Sequence, residues 1–98
     1  MHSEKWYVDK YLDKILQGDR TSKTLMFLDL SEEVITLCKE KKATDAKSQV
    51  ALIKQVNQKW NRIGELMKTK TGNSNDILLK DGFLKYYETK TPKIKEVE

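Results

Sequence analysis

The stretch AKSQVALIKQVNQKWNRIGELMKTK, residues 46–70, decides the fold. Val50, Ile53, Val56, Trp60, Ile63 and Met67 recur in it at three- and four-residue steps, the spacing that brings side chains onto one side of an α-helix. No proline interrupts the pattern. Thr44 or Asp45 is suited to cap its start, because a short oxygen-bearing side chain can accept from the unpaired amides of the first turn. Gly72 closes it, and Asn73-Ser74-Asn75 follows as a polar turn. A helix with one apolar stripe is held in water mainly by whatever covers that stripe, so the rest of the chain should supply further helices.

It does. Residues 4–17 place Val8, Tyr11, Leu12, Ile15 and Leu16 at helical spacing, with Gly18 as a natural stop. Residues 22–42 read as a second helix carrying Phe27, Leu30, Val34, Leu37 and Cys38 on one face, with Lys39, Lys41 and Lys42 where cations suit the helix dipole. A rival reading makes Leu25-Met26-Phe27-Leu28 extended, with a shorter helix capped by Asp29 or Ser31. Residues 76–88 read as a fourth helix, with Ile77, Leu79, Phe83, Tyr86 and Tyr87 as its apolar set and Ser74 or Asn75 as cap. Gly82 weakens that helix by about 1 kcal/mol relative to alanine. The expectation is therefore an all-α fold: a compact bundle of three to four helices with antiparallel neighbours, one domain over residues 1–88, and a flexible tail over 89–98.

Composition agrees. The chain has 98 residues, one proline and four glycines, and so few breakers imply few, long elements. Hydrophobic residues make up 38% and charged residues 35%, which suits a modest core with a wet exterior. The lone cysteine, Cys38, cannot close an internal disulfide, whereas a small secreted domain normally carries several. No run of about 18 apolar residues occurs, and the N-terminus lacks the layout of a signal peptide. These features place the expected location in the cytoplasm, or in the nucleus of a eukaryotic cell, with no membrane partner.

The inventory for chemistry is sparse. His2 is the only histidine, so a nucleophile–histidine pair or a histidine metal site would have to be built on it. Cys38 falls on an apolar face, where a thiol is held protonated and inert. The glycines at 64, 72 and 82 are isolated and no phosphate-cradling loop is present. The run from Asn73 to Gly82 fails as a calcium loop, since Ile77 and Leu78 stand where a ligand and a glycine are required. Glu32 and Glu33 are neighbours on a helix and point apart. Non-enzymatic action follows as the expectation, with no cofactor, metal or small-molecule substrate.

What stands out is charge. Residues 1–45 carry eight basic and nine acidic groups, and residues 46–98 carry eleven and six. Within residues 46–75, Lys47, Lys54, Lys59, Arg62, Lys68 and Lys70 face only Glu65. At about 100° per residue, Lys47, Lys54, Arg62 and Lys68 group opposite the apolar stripe, with Gln55, Asn57, Gln58 and Asn61 interleaved. Such a front could neutralise phosphates and reach base edges, or meet an acidic protein. The pair Tyr86-Tyr87 cannot both face inward, and Tyr87 is taken as the exposed aromatic.

Three stretches resemble known families. Val34-Ile35-x-Leu37, Lys41-Lys42-Ala43-Thr44-Asp45-Ala46 and Val56-Asn57-Gln58-Lys59-Trp60-x-x-Ile63 resemble the second half of a spectrin-type repeat, although the helix before them is too short for a full one. Trp60-x-x-Ile63, Thr71-Gly72-Asn73-Ser74 and Leu79-Lys80-x-x-Phe83-x-x-Tyr86-Tyr87 resemble the C-terminal part of an AT-rich interaction domain, which implies DNA binding, but lack that family's paired glycines before the tryptophan. Ile63-Gly64-Glu65-Leu66, Thr71-Gly72 and Leu84-Lys85-Tyr86-Tyr87-Glu88 resemble a MerR-type helix-turn-helix, but only with an insertion. No family is assigned on these.

The leading expectation is a small helical binding module, adaptor or modulator whose partner is another protein. The alternatives are nucleic-acid binding through residues 46–70 and the following turn, and a coiled-coil-like subunit that oligomerises through the same helix.

Overall fold

A computed structural model describes residues 2–90 as four helices with no strand among them: α1 (Glu4–Leu16), α2 (Arg20–Glu40), α3 (Ala46–Thr71) and α4 (Gly82–Lys90). Each of the first three begins on a side chain that accepts from its first turn. The Ser3 hydroxyl accepts from the Trp6 amide at 3.1 Å, Asp19 from Thr21 at 2.9 Å, and Asp45 from Ser48 at 3.1 Å. Ends are equally marked. Gly18 and Gly72 adopt φ of 84° and 67°, a region open to glycine at little cost. The second helix is continuous and begins at Arg20, so the extended alternative for Leu25–Leu28 does not occur.

Hydrogen bonds and ion pairs between helices give the relative directions. Tyr7 donates to Glu33 and Tyr11 to Asp29. Numbers rise on α1 as they fall on α2, so these two run antiparallel. Glu4 pairs with Arg62 and Asp9 with Lys70. Those numbers rise together, so α1 and α3 run parallel, with α2 opposed to both. The long α3 spans the length of a 41 × 24 × 20 Å body, as expected for 26 residues at about 1.5 Å each.

The core lies where the apolar stripes of α1, α2 and α3 meet. Tyr7, Met26, Leu30, Trp60, Ile63, Met67 and Phe83 are fully buried in it, each contributing about 1.5–3 kcal/mol relative to exposure. The stripe that a coiled-coil pairing through α3 would need is thus covered from within the chain.

The last helix departs from expectation. It starts at Gly82, not at residue 76, and residues 73–81 form a loop. Leu78 is buried from that loop, while Leu79 is exposed. Asp81 has φ of 58°, which a continuous helix cannot contain. The helix ends at Lys90 and not at residue 88; of the tail expected over 89–98, residues 91–98 lie outside the described residues.

Candidate functional site

Four of the six cations singled out on α3 are ion-paired within the chain. Lys59 turns inward, where its ammonium meets the buried carboxylate of Glu33 at 2.7 Å, and it also donates to the backbone oxygen of His2. Arg62 pairs with Glu4, Lys68 with Asp76 at 3.2 Å, and Lys70 with Asp9 at 3.3 Å. Lys47 and Lys54 are exposed and make no ion pair among the described residues. The positive excess on α3 is largely met by acids from α1, α2 and the 73–81 loop. Exposed pairs are worth only about 0–1 kcal/mol, but they lower the local positive charge available to a polyanion.

The amides expected between those cations have another task. Asn57 is buried. Its Nδ2 donates to Asp81 at 2.8 Å, and its Oδ1 accepts from the Leu84 amide at 3.1 Å, so a side chain of α3 caps the first turn of α4. Asn61 donates to the same Asp81 oxygen at 3.1 Å and accepts from the Asp81 amide at 2.8 Å. Asn61 and then Asn57, by donating to the Asp81 carboxylate, hold its pKa below the usual range. Trp60 Nε1 donates to the Leu79 carbonyl at 2.9 Å. Together these bonds moor the loop and α4 on α3.

Tyr87 is not the exposed member of its pair. It is half-buried against the core, with its ring 6.0 Å from Phe27 and 5.5 Å from Phe83, and burial raises its phenol pKa. Tyr86 is the exposed one. The reason is the start of α4 at Gly82, which turns Phe83 and Tyr87, one helical turn apart, toward α2. Cys38 is half-buried on the expected apolar side, and burial pushes its thiol pKa up. Glu32 is exposed and Glu33 buried, as neighbours on a helix should be.

A surface the charge pattern did not reveal lies on α2. Met26, Phe27, Leu30, Val34 and Leu37 are buried, but Leu25, Leu28 and Ile35 are 46%, 51% and 43% exposed. At about 100° per residue, Leu28 stands about 180° from Leu37, and the three exposed aliphatics share one arc. Thr21, Glu32 and Lys39 fall on the same side and are exposed. This helix is apolar on two opposite faces. One is spent on the core; the other carries Leu25, Leu28 and Ile35 over about three turns, with Glu32 in line between Leu28 and Ile35 and with Thr21 and Lys39 beyond the two ends. Helix-in-groove recognition uses anchors at i, i+3, i+4 and i+7; here Leu25 and Leu28 stand at i and i+3 and Ile35 at i+10, with Asp29 and Glu32 at i+4 and i+7.

No protein-family model, curated protein or solved structure matches the chain, so none of the three partial resemblances gains support. Among the described residues, no helix is long and apolar enough to cross a membrane.

Proposed function

We propose that the protein is a non-enzymatic helical binding module whose outer α2 face receives the apolar face of a helix from another protein. The observation that carries this reading is the second apolar face of α2: Leu25, Leu28 and Ile35 stay exposed on a helix whose core duties are already met by the opposite side. Single exposed leucines are ordinary, but aliphatics aligned on one helix face are a feature of interaction surfaces. The pairing of Lys59, Arg62, Lys68 and Lys70 within the chain favours this reading over nucleic-acid binding through α3. Glu32 within the face and Lys39 at its C-terminal end would set the direction of the incoming helix.

Replacing Leu28 with photoreactive benzoylphenylalanine in the cells that make the protein tests this. A covalent adduct to a peptide of another protein, formed from position 28 and not from position 47, supports the reading. Adducts only from position 47, only to nucleic acid, or only to a second copy of the chain would overturn it.

A further inference from the structure

The start of α2 and the middle of α4 enclose a groove of about 370 Å³ lined by Arg20, Lys23, Thr24, Phe27 and Tyr86. It is separate from the outer face of α2, since neither Leu28 nor Ile35 lines it. Its walls differ in character. On one side stand two cations three residues apart, and neither makes an ion pair among the described residues. The adjacent acid, Asp19, is already engaged: it accepts from the Thr21 amide at 2.9 Å and from the Ser22 hydroxyl at 3.2 Å. Phe27, one turn beyond Lys23 on the same face of α2, is buried with 7% of its surface exposed, and Tyr86 of α4 supplies the exposed aromatic ring. Tyr86 lies 6.2 Å from Phe27 and 6.0 Å from Trp60, near edge-on to both, so two core rings fix its orientation while part of it stays exposed to the groove.

The geometry points to a binding site for an aromatic phosphomonoester, with the phosphate between Arg20 and Lys23 and the flat ring against Phe27 and Tyr86. Two positive charges suit the charge of about −1.5 to −2 that a phosphomonoester carries at neutral pH, where a carboxylate would offset only one. The arginine guanidinium can fork onto two phosphate oxygens. A ring edge or face meets aromatic walls at the 4.5–7 Å centroid spacing typical of such pairs. A groove of this volume falls in the usual range for small-ligand sites, about 300–1,000 Å³. The chemistry is shared by a nucleoside monophosphate and by a phosphorylated tyrosine side chain.

The test is a titration of the isotopically labelled full chain, followed by amide shifts, with AMP, O-phosphotyrosine, adenosine and inorganic phosphate in separate arms at neutral pH. AMP or O-phosphotyrosine should give saturable shifts in the amides of residues 20–27 and 83–87, at least about tenfold tighter than adenosine or phosphate. The tighter of the two esters identifies the source. The double variant Arg20→Gln, Lys23→Gln should weaken binding at least about tenfold, and Tyr86→Leu severalfold, with both variants still folded by their amide spectra. No saturable shift with either ester, equal binding of inorganic phosphate, or indifference to Tyr86→Leu would overturn the proposal.

Discussion

Gly82 lies so close on the indole of Trp60 that a Cβ at position 82 would stand 2.9 Å from Nε1 and 3.1 Å from two ring carbons. The glycine that weakens a fourth helix on propensity alone is what lets that helix sit down on α3. An alanine there would gain up to about 1 kcal/mol of helix propensity and lose more to the displaced indole. Gly82→Ala should therefore destabilise the fold by roughly 1–3 kcal/mol, with a shift in tryptophan emission. Urea unfolding followed by fluorescence measures both. A stabilised variant would show that α4 is not seated as described.

Asn57 ties three backbone segments with one amide. Removing it with Asn57→Ala leaves Asp81 and the Leu84 amide short of a partner and should cost about 1–3 kcal/mol. A double-mutant cycle with Asp81→Ala should show coupling, since both substitutions break the same bond.

The pH dependence of that mooring has a definite sign. The folded pKa of Asp81 is depressed by hydrogen bonds from Asn61 and Asn57, so its contribution is present above the unfolded value of about 3.9 and is lost as pH falls through the lower folded value. Asp45, held down by Ser48, acts in the same direction. Stability should decline below about pH 4, and Asp81→Asn should flatten part of that decline. Thermal unfolding across acid pH reads it.

A buried cluster links the three long helices: Tyr7 donates to Glu33, and Lys59 pairs with the other Glu33 oxygen at 2.7 Å. Lys59→Met strands a buried carboxylate and should cost about 3–5 kcal/mol. Adding Glu33→Gln should restore much of it. Burial first, and then the Glu33 contact, raise the Tyr7 phenol well above its ordinary value. A raised folded pKa means stability is full below the unfolded value of about 10 and falls as pH climbs beyond it. Alkaline unfolding should therefore begin above about pH 10, and absorbance of tyrosinate during the transition checks it.

How much of this is legible in the sequence follows from geometry. The stripe Ile53, Val56, Trp60, Ile63 and Met67 placed α3 within a residue of its end, and Asp45 and Gly72 bracketed it. The fourth helix was misplaced because Leu79, four residues before Phe83, mimics helical spacing from a loop, whereas the left-handed turn at Asp81 depends on asparagines twenty and more residues away. Asn57 did carry a signal. At about 100° per residue it falls only about 40° from Ile53 and about 60° from Trp60, inside the apolar arc, where an amide needs internal partners. The acids that pair the α3 cations were hidden for a different reason: charge counted along one helix says nothing about acids brought to it by α1, α2 and the 73–81 loop. The outer stripe of α2 was hidden in Leu25-Met26-Phe27-Leu28, four apolar residues that cover every side of a helix, two of them turned in and two out.

The central claim rests on those outward residues being surplus to folding. Leu28→Glu should change stability by no more than about 0.5 kcal/mol, whereas Leu30→Ala, at a fully buried site, should cost about 2–5 kcal/mol. The most direct measurement is quantitative affinity purification from the source cells with wild type, a Leu28→Glu/Ile35→Glu variant and a Lys47→Glu/Lys54→Glu variant, all shown to fold. The account predicts one set of partner proteins retained by wild type and by the lysine variant and lost from the α2 variant. Partners that survive the α2 variant but disappear with the lysine variant, or on nuclease treatment, would contradict it.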